Sequence, residues 1–155
     1  MFDVYFRKAA LLAAQGHARE GAENGQEAMG LLVGDFYTFE GKPWVMVEDY
    51  VTAPNTASAT LVSFSKDAFG ELSSKLFQSA VNVDRIVVGW FHTHPGFGCF
   101  LSPTDINTQQ KYFDHPLAIA VVADPRKAEG KSMKKRAYRL TGEGGNYREL
   151  SYATV

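Results

Sequence analysis

Residues 85–105, Arg-Ile-Val-Val-Gly-Trp-Phe-His-Thr-His-Pro-Gly-Phe-Gly-Cys-Phe-Leu-Ser-Pro-Thr-Asp, leave few conformations open to the chain. The run Arg85 to His92 is apolar and rich in β-branched residues, which predicts a buried strand. Side chains alternate across a strand, so His92 and His94 project from the same face. Pro95 cannot donate to a sheet, and Gly96 and Gly98 flank Phe97, so the chain should leave the sheet and turn there. Ser102-Pro103-Thr104-Asp105 then carries the marks of a helix start: a serine N-cap, a proline at the first helical position, and an acid three residues after the cap. Asp105 is thereby expected in the first helical turn, facing the strand end.

Two neutral imidazoles and a carboxylate make a three-ligand zinc set, and three protein ligands with an open fourth position characterise a catalytic zinc rather than a structural one. Each half of the pattern is weak alone. A His-x-His at a strand end is more often a pair of partly exposed histidines, and Ser-x-x-Asp is usually a cap and nothing more. Together, at this spacing, they point to a metal centre of His92, His94 and Asp105.

His92-x-His94-Pro95, six residues, then Ser102-x-x-Asp105 resembles the metal motif of the JAMM (MPN+, Mov34/PAD-1) metalloprotease family. That family also carries an upstream glutamate followed by a glycine-containing apolar run, and Glu27-Ala-Met-Gly30-Leu-Leu-Val-Gly34 is similar to it. The wording from Gly89 to Ser102 and from Asp105 to Gln110 is most similar to the deubiquitinase subunits of the proteasome lid and the signalosome. The likeness runs from about Glu27 to Leu140, and Pro103-Thr104 departs from the eukaryotic pattern without touching a ligand position. Because the chain reaches little beyond this region, it resembles either a compact prokaryotic, archaeal-type homologue without the C-terminal helices of lid subunits or a trimmed piece of a longer protein.

The rest of the chain is compatible with one domain over residues 1–155, long enough to bury a substantial core. Apolar residues make up 45% and charged residues 21%, which is ordinary for a globular protein. A net charge of -1 gives no electrostatic case for nucleic acid or a membrane surface as partner. One cysteine excludes an internal disulfide framework and suits a reducing, cytoplasmic setting. No apolar run reaches membrane-spanning length.

Taken in order, the pattern predicts a short strand at Phe2 to Tyr5 and an alanine-rich helix to about His17, with Gly21, Asn24 and Gly25 in a loop. Strands follow at Glu27 to Val33, Phe36 to Phe39 and Trp44 to Val51, with Glu40 to Pro43 as a hairpin turn. Ala53 to Ala59 reads as a loop, Thr60 to Phe64 as a strand, and Lys66 to Val81 as a helix capped by Ser65. After the motif come a buried strand, Leu117 to Ala123, stopped by Asp124-Pro125, and a charged loop, Lys127 to Arg136. Ala137 to Thr141 is a strand, Gly142 to Gly145 a turn, and Tyr147 to Tyr152 a last strand or tail. Interleaved strands and helices with hairpins argue an α/β (α+β) fold, a mixed sheet with flanking helices. The resemblance implies the MPN version of it, a curved mixed sheet similar to cytidine deaminases. A deaminase itself would need a His-x-Glu and a Pro-Cys-x-x-Cys, which a chain with one cysteine does not have.

For function, the resemblance implies a zinc-dependent isopeptidase acting between the C-terminal glycine of ubiquitin, or a ubiquitin-like modifier, and a lysine. One zinc per chain at His92, His94 and Asp105 would make hydroxide available near neutral pH. Glu27 would act as general base and acid without binding the metal. The Ser102 hydroxyl either stabilises the oxyanion or serves as a cap only. The modifier tail would lie against Asn55, Thr56, Ala57, Ser58, Ala59 and Thr60 by strand addition, or that segment is a surface loop. Phe97 and Phe100 either line the substrate groove or pack in the core. The resemblance further implies pairing with a second MPN domain, as homodimer or heterodimer, and association with the proteasome. Two other readings stay open: an amidase of the same fold acting on a sulfur-carrier-type conjugate, and a silent MPN scaffold. Cys99 reads as a small buried hydrophobe, His17 and His115 as ordinary histidines, and Lys131 to Arg136 as a solvated run.

Overall fold

A computed structural model describes residues 1–52, 85–142 and 144–155. The elements are β1 (Val4–Phe6), α1 (Lys8–Glu23), β2 (Met29–Phe39), β3 (Lys42–Val51), β4 (Ile86–Thr93), α2 (Pro103–Tyr112), β5 (Ile119–Glu129), β6 (Ser132–Leu140), β7 (Tyr147–Leu150) and β8 (Tyr152–Thr154). The strands form one mixed sheet in the order β7-β6-β5-β4-β2-β3-β1-β8. β4 pairs parallel to β5 and antiparallel to β2, while β1 lies parallel to both β3 and β8. Only Ser151 separates β7 from β8, yet these are the two edges of the sheet. The sheet therefore curls so that the end of β7 lies next to the start of β8, and Val4 N–H on β1 donates to the carbonyl of the linking Ser151 at 3.0 Å.

Each face of the sheet has its own core. On one, α1 packs Ala10, Leu11, Ala14 and Ala18 against Leu32, Val47, Phe91 and Val121. On the other, Leu31, Trp90, Ala120 and Val122 pack with Leu101 and Phe113, which bracket α2. The alternation of β4 follows: Phe91 belongs to the first face, and Trp90 with the histidine two residues on belongs to the second. No helix among the described residues is long and apolar enough to cross a membrane.

Several boundaries differ from the sequence expectation for identifiable reasons. Helix α1 runs to Glu23 rather than ending near His17, and Gly21 is inside it. That glycine is a packing residue, since a Cβ there would stand 2.9 Å from the Gln26 carbonyl oxygen. Phe36 to Phe39 is not a separate neighbour; β2 is one strand that absorbs Gly34 in a bulge at Val33/Gly34. The hairpin turn is Glu40-Gly41 alone, with Lys42 and Pro43 already in β3. Pro125 does not stop β5, because it falls in the register break between Asp124 and Ala128, where no ladder donor is required. Lys127 to Arg136 is consequently a β-hairpin and not a loop. Tyr147 to Tyr152 divides into the two edge strands. The expected strand at Thr60 to Phe64, the helix at Lys66 to Val81 and the loop before them lie outside the described residues.

Candidate metal centre and active site

The end of β4 delivers both imidazoles to the face covered by α2. His92 is fully buried and stacks on Trp90, with ring centroids 4.0 Å apart. The Trp90 indole N–H in turn donates to Gln109 on α2, so strand and helix are tied together beneath the site. Thr93 faces the other way and makes a reciprocal pair with Ala28: its N–H donates to the Ala28 carbonyl at 3.0 Å, and its hydroxyl accepts the Ala28 N–H at 2.8 Å. This pair, spanning 65 residues of sequence, holds Glu27 beside the histidines.

The turn after His94 depends on a residue that sequence reasoning used only as a strand stop. Asp124 is completely buried, and its carboxylate accepts the N–H groups of Gly96 and Gly98, both at 2.8 Å, and of Arg126 at 3.0 Å. Gly96 and Gly98 have φ of 85° and 87°, a region that L side chains avoid. Burial by itself would raise the Asp124 pKa, but the three amides outweigh it and hold the carboxyl below its ordinary value. The signal in the sequence was an aspartate ending an apolar strand parallel to the motif strand, which propensity reads as a stop and pairing reads as an anchor.

At the start of α2, Ser102 and Asp105 form a capping box: the serine hydroxyl accepts the Asp105 N–H at 3.1 Å, and Asp105 Oδ2 accepts the Ser102 N–H at 2.9 Å. The same Oδ2 lies 3.0 Å from His92 Nε2 and 3.1 Å from His94 Nε2. Burial would raise the Asp105 pKa, yet the two facing imidazoles and the Ser102 amide hold it well below the usual carboxylate range. Burial pushes His92 the other way, below its ordinary value, which favours the neutral ring whose nitrogen lone pair can bind a metal.

The residues present fit a metal ion. One ligand atom from each of His92, His94 and Asp105 falls within 4.8 Å of the others, and all three residues are buried. Both ring nitrogens of His92 are buried without a hydrogen bond of good geometry. Fully buried polar atoms are rarely left in that state unless something else occupies their lone pairs. The donor set, two imidazoles and a carboxylate, is that of catalytic zinc sites.

A pocket of about 170 Å³ opens above these residues, lined by Glu27, His94, Ser102 and Asp105 together with Phe97, Phe100 and Thr104. Five residues singled out in sequence, Glu27, His92, His94, Ser102 and Asp105, are thus assembled from three separate elements. Phe97 is 77% exposed and Phe100 41%, so both stand at the mouth of the pocket rather than in the core. Residues Asn55, Thr56, Ala57, Ser58, Ala59 and Thr60 lie outside the described residues. Cys99 is half-buried with its thiol directed at the Lys134 carbonyl, and burial pushes its pKa up, which disfavours a nucleophilic thiolate. His17 bonds the Tyr50 hydroxyl at 2.6 Å and His115 stacks on Phe36; neither lines the pocket.

A curled mixed sheet with a buried His-His-Asp cluster and a glutamate in one pocket defines an MPN-type domain with a candidate metal centre. The chain belongs to the JAB1/Mov34/MPN/PAD-1 ubiquitin protease family, whose model matches residues 3–115. It is 35% identical over 145 residues to ubiquitin carboxyl-terminal hydrolase RPN11 of Saccharomyces cerevisiae, covering 91% of this chain and 44% of that protein. It is 37% identical over 143 residues to 26S proteasome non-ATPase regulatory subunit 14 of Drosophila melanogaster, covering 88% of this chain and 43% of that protein. The chain therefore spans less than half the length of these curated relatives. Among solved structures, protein DSY2949 from Desulfitobacterium hafniense superposes with a TM-score of 0.64 over 98% of this chain and 92% of that one; at 18% identity it shows the shared fold alone.

Proposed function

We propose that the chain is a zinc-dependent isopeptidase that hydrolyses the amide bond between the C-terminal glycine of ubiquitin, or a ubiquitin-like modifier, and a lysine. The observation that carries this reading is the single pocket holding Glu27, His94, Ser102 and Asp105 above buried His92. Relatives named as a ubiquitin carboxyl-terminal hydrolase and as proteasome regulatory subunits support the substrate class.

His92, His94 and Asp105 would hold one zinc, which when bound supplies Lewis acidity and brings the ionisation of water near neutrality. Glu27 takes the proton from the attacking water and later passes it to the leaving lysine amine, so its carboxylate must stay off the metal. Ser102 serves two ends with different atoms. Its oxygen lone pair accepts the Asp105 N–H as the helix cap, which leaves the hydroxyl proton to donate to the oxyanion of the tetrahedral intermediate. Phe97 and Phe100 flank the scissile bond and exclude water at the mouth, and Asn55 to Thr60 would pair with the extended modifier tail. The relatives named as 26S proteasome subunits also support association with a proteasome-type particle; a second MPN domain would be the pairing partner and the cytoplasm the setting.

The test is cleavage of a lysine-linked ubiquitin conjugate by the purified chain with zinc, with a chelator, and by Glu27→Gln. Cleavage that needs zinc, and that falls about 10²- to 10⁴-fold in Glu27→Gln while zinc stays bound at one per chain, is expected. Zinc bound with no turnover of any modifier conjugate would leave a scaffold in place of an enzyme.

A further inference from the structure

Outside the metal pocket, cations of this near-neutral chain converge on one groove. The bulged β5–β6 hairpin and the C-terminal half of α1 flank a shallow, open groove of about 390 Å³ lined by Arg19, Arg126, Lys127 and Lys131, with Ser132 and Met133 also in its lining. All four cations are exposed, and no carboxylate lines the groove among the described residues. Of the acids close to these cations in sequence, Glu20 does not line the groove, Glu129 is engaged by Arg136 at 2.7 Å, and the buried Asp124 carboxylate is held by the Gly96, Gly98 and Arg126 amides. The walls are fixed to each other: the Ser132 hydroxyl donates to Gln15 of α1 at 2.6 Å and accepts from the Lys135 ammonium at 3.0 Å.

The groove shares a wall with the metal pocket. Arg126 Cδ and Lys127 Nζ lie 3.8 Å from where a Cβ would stand on Gly96 and Gly98 respectively. Phe97, between those glycines, lines the pocket on the other side. Arg126 and Lys127 are thus the cations nearest the metal pocket, and Arg19 and Lys131 line the same groove with them.

We propose that this groove is an exosite for an acidic polypeptide segment of the conjugate, adjoining the isopeptide site. The inference rests on the isopeptidase reading for its setting and on the groove for its chemistry. The four cations sit exposed on long stems, so a single compact anion would remain largely hydrated. A chain bearing several carboxylates can engage them in series. Each exposed pair contributes little, and the sum is strongly screened by salt. Nucleic acid fits less well: among the described residues the lining has no aromatic ring on which a base could stack, and the chain as a whole is not basic.

The experiment uses the full chain, loaded with zinc, and three fluorescent probes: a poly-glutamate peptide, a poly-glutamine peptide of equal length, and a single-stranded oligonucleotide. Poly-glutamate should bind with an affinity that falls as salt is raised, and Arg19→Glu/Lys127→Glu/Lys131→Glu should weaken it at least about tenfold at low salt while unfolding stays cooperative and zinc stoichiometry stays that of the wild type. In cleavage, a ubiquitin conjugate whose lysine lies in an acidic peptide should show a lower KM than one in a neutral peptide, and the charge reversal should abolish that difference. Equal binding of poly-glutamate and poly-glutamine, retention of poly-glutamate binding by the triple variant, or tighter binding of the oligonucleotide would overturn the proposal. Failure of the wild type to cleave any conjugate would count against the isopeptidase instead, and the peptide binding would still decide the groove.

Discussion

Replacing Asp124 tests whether one buried carboxylate outside the candidate metal set holds the turn after His94 in shape. In Asp124, Oδ1 accepts the Gly96 and Arg126 amides and Oδ2 accepts the Gly98 amide, the last of these bonds being fully buried. In Asp124→Asn the side-chain oxygen can keep the first two, but an NH2 group then faces the Gly98 N–H. One buried bond to a charged acceptor is lost, about 1.5 to 3 kcal/mol, and the two retained bonds weaken with loss of charge. The expected destabilisation is about 2 to 4 kcal/mol for Asn and about 3 to 6 kcal/mol for Ala, which removes all three acceptor contacts. The assay is equilibrium urea unfolding in chelator, so that metal binding does not contribute. The sign of the pH dependence follows from the lowered pKa of Asp124. A carboxylate depressed in the folded state contributes stability above its unfolded pKa of about 3.9 and loses it as pH falls through the folded value. The gap between wild type and Asp124→Asn should therefore be full at neutral pH and close below about pH 4. A neutral-pH difference under about 0.5 kcal/mol, or a gap that persists in acid, would refute the reasoning.

Other outcomes follow from the same geometry. Adding zinc in excess should raise the melting temperature, and His92→Ala or Asp105→Ala should remove that rise; a rise retained in both variants would place the metal elsewhere. Ser102→Ala should cost about 1 kcal/mol of stability through the lost cap and in addition slow conjugate cleavage about 10²- to 10³-fold. A stability loss with cleavage unchanged would assign Ser102 to the cap alone. Gly89→Ala should destabilise by about 2 kcal/mol or more in urea unfolding, because the added Cβ would meet the Ile119 carbonyl across the parallel β4–β5 pair; an unchanged midpoint would show that those strands can separate freely.

What could be read before the fold was known is what closes within a few residues. The Ser102–Asp105 box completes its two hydrogen bonds inside one helical turn, and Pro103 presets the helix start, so the cap was legible as a local pattern. The common face of His92 and His94 follows from the two-residue period of a strand, and the turn after them from Pro95 and two glycines. Glu27 was different. Nothing local marks it, and only the likeness to a family drew it out.

What the tertiary structure decided is everything that depends on partners far along the chain. Glu27 reaches the pocket because Thr93 grips Ala28 across 65 residues, and the turn beyond His94 holds its shape because Asp124 accepts amides 26 and 28 residues away. Pro125 and Gly34 look like breakers to local propensity, but the sheet takes both into bulges and carries β5 and β2 onward, since the packed neighbours on each side outweigh a lost ladder bond. Gly21 stays helical for the same reason: the room it leaves for the Gln26 carbonyl is set by packing and not by helix propensity. The His92, His94, Ser102 and Asp105 pattern was written in the sequence by type and spacing; its meeting with Glu27 had to wait for a curled sheet to bring three distant segments together.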